Sequence, residues 1–346
     1  MVACHLEGKG MKEAYLYEKE SGGKARCLLC NHRCLVADGK RGVCGVRENK
    51  EGVLYSLVYE NLISAHVDPI EKKPFFHFLP GSKAFSIATV GCNFQCLHCQ
   101  NHEISQVPKD TATITGKQVS CEDIVSMALQ NNCASISYTY TEPTIFFEYA
   151  YDTATIAHKK GLKNNFVTNG YMTAEALDMI ASYLDGANVD LKSFSEKFYK
   201  EICGARLKPV LENIATMHDL GIWVEVTTLI IPTLNDAEDE LREIARFILS
   251  VSPAIPWHVS AFYPTYHMLD KPRTSPEIIR RARDIGLEEG LRYVYTGNIP
   301  GEEGENTTCY HCNNVLIRRW GYQIAEQRIT DGTCPHCGTP IDGVWM

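Results

Sequence analysis

The chain has 346 residues, 45% of them hydrophobic, with a formal net charge of −8 and a pI of about 5.9. That length allows one large domain with small modules, or two domains, and the acidic balance argues against a nucleic-acid groove as the main surface. No apolar run reaches membrane-spanning length, and the first residues, Met1-Val2-Ala3-Cys4-His5-Leu6-Glu7, lack a signal-peptide pattern. A cytoplasmic protein without membrane partners is the expectation.

The fifteen cysteines fall mostly into closely spaced groups in a long chain. That is the pattern of intracellular metal binding, not of a secreted disulfide scaffold. The first group, Cys27-x2-Cys30-x3-Cys34-x9-Cys44, lies in a Gly/Lys/Arg-rich module, residues 1–60. Its four thiolates suit zinc or an auxiliary [4Fe–4S] cluster, and His32 could replace one of them. A connector, residues 61–83, follows. Pro69, Pro74 and Pro80 disfavour a helix there, and Lys72-Lys73 reads as a solvated face.

An apolar run, Ala84 to Val90, then leads into Gly91-Cys92-Asn93-Phe94-Gln95-Cys96-Leu97-His98-Cys99-Gln100. Gly91 allows a tight turn into the loop. Three thiolates spaced C-x3-C-x2-C can hold three irons of a [4Fe–4S] cube, which ordinarily takes four. The fourth iron is then open to a small molecule. The rival is a zinc knuckle, which needs a further ligand such as His98 or His102.

Beyond that loop, β-rich runs alternate with helical patterns to residue 298. The strands expected are Ala84–Val90, Ala134–Tyr140, Asn165–Thr168, Gly186–Leu191, Trp223–Ile231 and Trp257–Tyr263, with an edge strand at Arg292–Tyr295. Helices are expected after Ser120, from Thr173, over Asp236–Leu249 and over Ser275–Glu289. Strand–helix alternation implies right-handed crossovers and a parallel sheet. Six such units predict an α/β core, a partial (β/α)6 TIM-type barrel over residues 84–300.

Active-site residues of parallel barrels gather at the C-terminal strand ends. Cys92 follows the first strand, Tyr140-Thr141-Glu142-Pro143 the second, and Thr168-Asn169-Gly170 the third. Asp190-Leu191-Lys192 ends the fourth, and His258 lies in the sixth. Each has an ordinary alternative: a helix-start carboxylate for Glu142, an Asn-Gly turn for Asn169, a solvated pair for Asp190 and Lys192, a satisfied core histidine for His258.

The last module, residues 301–346, carries Cys309-x2-Cys312 and Cys334-x2-Cys337. Two such knuckles predict structural zinc, with a single rubredoxin-like iron as the rival. Cys4, Cys121, Cys133 and Cys203 lie outside the groups. Most of these read as buried or inert thiols.

The cysteine loop resembles the signature of the radical S-adenosylmethionine (SAM) enzymes. Nearly the whole chain resembles a narrower group, the AmmeMemoRadiSam-system radical SAM proteins, which are pyruvate formate-lyase activating-enzyme-like. The strings that carry this are Cys27-Leu28-Leu29-Cys30, Gly42-Val43-Cys44-Gly45-Val46-Arg47-Glu48-Asn49, Asp68-Pro69-Ile70-Glu71-Lys72-Lys73-Pro74, Phe78-Leu79-Pro80-Gly81-Ser82, Tyr140-Thr141-Glu142-Pro143-Thr144-Ile145-Phe146 and Thr296-Gly297-Asn298. Departures are Asn31, His102, and Tyr140 and Thr141 where the superfamily often has two glycines.

The resemblance implies a barrel of the radical SAM kind flanked by small Cys-rich metal-binding modules. It implies a [4Fe–4S] cluster on Cys92, Cys96 and Cys99 and SAM on the open iron. SAM would be contacted by Gln100, Thr141, Glu142, Asn169, Asp190, Lys192 and His258. The implied activity is reductive cleavage of SAM and hydrogen abstraction from a small-molecule or protein substrate. It needs anaerobic conditions and an external electron donor of ferredoxin or flavodoxin type. A glycyl radical enzyme activating enzyme is one alternative. A zinc-ribbon interaction protein is another, of a different class.

Overall fold

The computed structural model describes residues 10–299, 301 and 303–345, so Cys4 lies outside the described part. The chain divides into two compact units. The first comprises Met1–Val67, Phe85–Gln95 and Asn101–Asp185, and the second Asp68–Ala84, Cys96–Gln100 and Gly186–Met346.

The first unit holds, in chain order, β1 (Lys83–Ala88, from Phe85 onward), α1 (Cys121–Gln130), β2 (Ser135–Tyr138), α2 (Phe147–Lys159), β3 (Lys163–Thr168) and α3 (Ala174–Ile180). β2 and β3 pair in parallel, with Ser135 opposite Lys163. All four residues of β2 are buried, as expected of a parallel strand covered on both faces. α1 begins where Ser120 accepts a hydrogen bond from the Asp123 amide, with Glu122 and Asp123 in its first turn. Thr173 caps α3 in the same way through the Ala176 amide.

Two small antiparallel sheets precede this α/β part. One joins Lys12–Glu13, Val53–Ser56 and Arg47–Lys50, and the other Tyr17–Glu20, Lys24–Cys27 and Leu35–Val36. Both are too small to bury a core alone, and side chains tie the segment to α2. The Arg47 guanidinium pairs with Glu148, the two side chains being 2% and 0% exposed. One helical turn on, Asp152 accepts from Lys12 Nζ at 2.8 Å and from the hydroxyls of Tyr15 and Tyr59, each at 2.7 Å.

The second unit holds β4 (Gly186–Asp190), α4 (Lys208–Asp219), β5 (Trp223–Ile230), α5 (Glu238–Val251), β6 (Trp257–Ala261), α6 (Pro276–Glu288) and β7 (Val294–Gly297). β4, β5, β6 and β7 are parallel neighbours in that order. The expected mixed α/β fold with parallel central strands is what forms. α5 starts two residues later than its pattern suggests, because Asp236 turns back to accept from the Thr233 amide at 2.8 Å. Gly286 brings α6 onto the strands: a Cβ there would lie 2.8 Å from Val294 and 2.9 Å from Trp257.

Residues Asp68–Ala84 lie within this unit. Phe78 packs so tightly on Gly186 that a Cβ there would sit 3.1 Å from its ring. The amides of Phe76 and His77 donate to the Glu225 carboxylate at 3.0 and 2.8 Å. Lys73, however, is not solvated. It is 2% exposed and pairs with Asp68 at 2.6 Å, because a single 3-10 turn over Ile70–Lys72 folds it inward. Burial, opposed by Asp68, brings its pKa down to about 8.

The C-terminal ribbon, Thr307–Thr308, Val315–Trp320 and Gln323–Gln327, is antiparallel. Its core joins Cys309, Cys334, Leu316 and Ile341 to Phe76, Tyr293 and Tyr295. The buried Arg319 guanidinium stacks 4.3 Å over the Phe76 ring and donates to Thr307 Oγ1 at 2.7 Å and the Phe76 carbonyl at 2.8 Å. The ribbon thus covers the N-terminal ends of β5–β7. Among the described residues no helix is long and apolar enough to cross a membrane.

His77, under the ribbon, is held neutral. Its Nδ1–H donates to the Asp342 carbonyl and its Nε2 accepts from the Tyr295 hydroxyl, both at 2.6 Å. Glu225, Arg319 and His258 also face it. Burial, opposed by Glu225, pushes its pKa from 6.5 to about 4. The unfolded chain therefore binds the proton first as pH falls. His77 should contribute roughly 3 kcal/mol near neutral pH, lost progressively between about pH 6.5 and pH 4. Urea unfolding at pH 7 and pH 5 should show this slope, and His77→Gln should flatten it.

Candidate active site

In the first unit the site begins at Gly91, whose φ is +107°. A Cβ there would sit 2.7 Å from Val46 Cγ1 and 3.3 Å from the Cys44 carbonyl oxygen. Only glycine fits both the dihedral and the space. Cys92 follows, and Phe94 donates its amide to Cys92 Sγ at 3.4 Å. Asn169, at the C-terminal end of β3, donates through Nδ2 to Asn93 Oδ1 at 2.7 Å, and the same nitrogen is 3.9 Å from Cys92 Sγ. The strand end and the cysteine loop therefore meet.

Glu142 fixes this arrangement. Its Oε1 accepts from the Thr144 amide at 3.0 Å, the Thr144 hydroxyl at 2.6 Å and the Thr168 hydroxyl at 2.7 Å. Its Oε2 accepts from the Asn169 amide at 2.8 Å. Burial raises its pKa, and the Asn169, Thr144 and Thr168 donors oppose that rise. The helix-start reading is met, since Glu142 caps the 3-10 turn Pro143–Phe146, but it also joins the end of β2 to the end of β3. Thr141 donates to the Thr89 carbonyl at 2.9 Å. Tyr140, in the place of a glycine, takes φ +61°, and its carbonyl accepts from Asn101 Nδ2 at 2.7 Å.

In the second unit the site lies at the C-terminal end of β4. Lys192 Nζ is 2.9 Å from Asp190 Oδ2. Burial alone would lower the Lys192 pKa, but Asp190, Cys96 and Cys203 hold it well above the usual range. The strand end is pinned from β5 and beyond: Thr228 Oγ1 donates to the Leu191 carbonyl at 2.8 Å, and Asn235 Nδ2 to the Lys192 carbonyl at 2.7 Å. Cys96 is buried beside Lys192 and within hydrogen-bonding reach of the Cys203 thiol. The Leu97 amide donates to the Ile202 carbonyl at 3.0 Å, which sets that neighbour in place. Cys99 is half-buried and Gln100 exposed.

Two placements differ from what the sequence suggests. Cys203 is buried as expected, but it is a neighbour of Cys96, and no local spacing signals that. His258 is the second residue of β6, near its N-terminal end, and its Nε2 lies 2.7 Å from Glu225 Oε2. Its ring packs against Phe76 and Tyr295 under the ribbon. It is engaged by Glu225, although in register it stands beside Thr227, itself the neighbour of Asp190.

The donor set fits an iron–sulfur group at the loop. Asn93 Nδ2 and His98 Nδ1 are buried with no hydrogen-bond partner among the described residues, and each flanks a loop cysteine. Cluster sulfurs are the acceptors such orphaned groups would meet. Burial, with the Lys192 charge, pushes His98 down to about 3, so it stays neutral.

The C-terminal cysteines fit a single ion. Cys309 and Cys337 Sγ are 3.7 Å apart, as are Cys312 and Cys334, and all four lie within 4.8 Å of one another. Tetrahedral zinc thiolates at about 2.3 Å stand about 3.8 Å apart. The knuckles close through Asn313 and Gly338, at φ +60° and +72°.

The model of the radical SAM superfamily matches residues 86–248. An uncharacterized protein of Methanocaldococcus jannaschii is 45% identical over 335 residues, 96% of this chain and 99% of that one. The pyruvate formate-lyase-activating enzyme of Clostridium pasteurianum is 21% identical over 167 residues, 46% of this chain and 67% of that one. A radical SAM methyltransferase of Sphaerobacter thermophilus has a similar fold, with a TM-score of 0.50 and 14% identity over 63% of this chain and 67% of that one.

Two outcomes follow from the site. Glu142→Gln puts an N–H among donors, so urea unfolding should show a loss on the order of 1–3 kcal/mol. Cys203→Ala should leave iron incorporation intact. Removing an S–H neighbour from Cys96 should move the reduction potential of a cluster there to more negative values, read by EPR-monitored titration.

Proposed function

Because the chain belongs to the radical SAM superfamily, we propose that Cys92, Cys96 and Cys99 hold its [4Fe–4S] cluster and that SAM binds beside it. One observation carries the assignment: each unit, taken alone, sets a strand-end residue beside a loop cysteine. Asn169 stands by Cys92 in the first unit, and Lys192 stands by Cys96 in the second.

The cluster, when bound, supplies the electron that divides SAM into methionine and a 5′-deoxyadenosyl radical, which takes hydrogen from the substrate. The protein's part is to hold and orient. Lys192, kept charged by Asp190, is placed to bind a carboxylate. The Thr141-Glu142 segment, with Tyr140 in a left-handed conformation, offers backbone acceptors for an ammonium group. Asn169 is placed for the ribose, and the exposed Gln100 for the adenosine side. His258 belongs to the Glu225 pair and is left out of this set.

Residues 84–300 form the radical-making core in this reading, with 61–83 as connector and 1–60 and 301–346 as metal-bearing modules. The C-terminal ribbon holds zinc as a structural ion. Supporting this, its thiols meet zinc spacing and its core packs on Phe76, Tyr293 and Tyr295. Such packing also disfavours a free interaction module. The protein works in the cytoplasm and takes its electron from a ferredoxin- or flavodoxin-type donor.

The likeness to a pyruvate formate-lyase-activating enzyme favours a second reading at the level of substrate, a glycyl radical protein. A small molecule or another protein is the more general reading, because the double-cluster insert that some activases carry after the third loop cysteine is missing after Cys99. Anaerobically reconstituted protein given dithionite and SAM should release 5′-deoxyadenosine and methionine in equal amounts. A product yield no greater than that of the Cys96→Ala variant would overturn the proposal.

A further inference from the structure

We propose that Cys27, Cys30, Cys34 and Cys44 hold a second [4Fe–4S] cluster, fully ligated by thiolates, and not zinc. The four cysteines line one pocket together with Arg47 and apolar side chains such as Leu29 and Val36. Among the described residues, the C-terminal group alone brings three or more ligand atoms within 4.8 Å of one another. The N-terminal thiols are therefore spread around a space, whereas the C-terminal thiols close on a point. A zinc ion draws its four sulfurs to about 3.8 Å. A cube of four irons and four sulfides keeps its ligand sulfurs farther apart, with the inorganic core between them.

The cavity wall suits such a core. Arg47 is 2% exposed, and its Nε–H is buried with no hydrogen-bond partner. Its other nitrogens are spent on Glu148 and the Ile145 carbonyl. A buried donor at a cavity ringed by thiols is matched by the sulfides of a cluster, whose net negative charge with four thiolates it also offsets. With zinc in the site, the four thiolates would be the sole sulfur acceptors it could meet. His32 is not needed as a ligand, since its Nε2 is 2.9 Å from the Asn93 carbonyl oxygen.

With four thiolates the cluster has no open iron, so it exchanges an electron and does not bind SAM. Its place suits that role, because its wall is shared with the Cys92 loop. His32 meets Asn93, the Cys44 carbonyl abuts Gly91, and the Asn31 amide donates to the Tyr171 carbonyl at 3.0 Å, just beyond Asn169.

The test uses the full chain with Cys92, Cys96 and Cys99 all replaced by alanine, which removes the SAM cluster whether or not that assignment is right. After anaerobic reconstitution with iron and sulfide, the variant should keep about four irons and four sulfides per chain. One-electron reduction by dithionite should give an EPR signal that SAM leaves unchanged. Zinc in the site with no acid-labile sulfide in the variant would overturn the proposal. If the variant does not fold, sulfide in the reconstituted parent protein decides: about eight per chain supports two clusters, and about four overturns the second. Acid-labile sulfide discriminates even if the C-terminal ribbon holds iron, because a rubredoxin-like site contains none.

Discussion

One buried carboxylate organises the strand ends of the first unit. Glu142 accepts four hydrogen bonds from Thr144, Thr168 and Asn169, so it joins the ends of two parallel strands that share no loop. A neutral side chain could not satisfy so many donors, and leaving them unpaired in the interior would cost about 1–3 kcal/mol each. Asn169 is thereby held at the Cys92 loop. The loop is fixed from its other side by Gly91 against Val46. Cofactor chemistry of this kind needs a rigid frame, since the reacting atoms are set by their supports.

The second unit separates its tasks along the strands. At the C-terminal end of β4, charge and sulfur stand together: Asp190, Lys192, Cys96 and Cys203. Toward the N-terminal ends of β5–β7, a polar knot fills the space beneath the ribbon. Glu225 takes hydrogen bonds from Phe76, His77, Trp223 and His258. Burial alone would raise its pKa, but His258, His77 and the Phe76 amide hold it below the usual carboxylate range. The knot anchors the connector and the ribbon. The four-thiol knuckle packs on the same layer, which gives it a structural position.

Much of this was legible in the sequence because its signals are local. Apolar runs ending at turn residues placed the strands to within about two residues, and Ser120 and Thr173 marked helix starts by their side chains. The three-cysteine loop, Glu142, Asn169, Asp190 and Lys192 were found by their positions at strand ends. What escaped notice depends on contacts distant in sequence. Lys73 turns inward only because Asp68 waits across a turn. Cys203 meets Cys96 only when the segment after β4 folds back. His258 lies in the five-residue strand expected of it, but its partner Glu225 comes from the neighbouring strand, where no local spacing signals it. α2 begins with four consecutive buried residues, Phe147 to Ala150, so its helical period is masked at the start.

Tyr140 holds a further lesson. Its φ of +61° is the conformation glycine adopts freely, and an ordinary side chain occupies it at about 1–2 kcal/mol of strain. Asn101 bonds its carbonyl, and the next residue, Thr141, is tied to the Thr89 carbonyl, which keeps it there. This position therefore takes the dihedral angle without the residue type that adopts it freely. Relatives could drift away from the glycine letters while the backbone trace stays the same. Family boundaries drawn by spelling and by shape would then diverge at this turn.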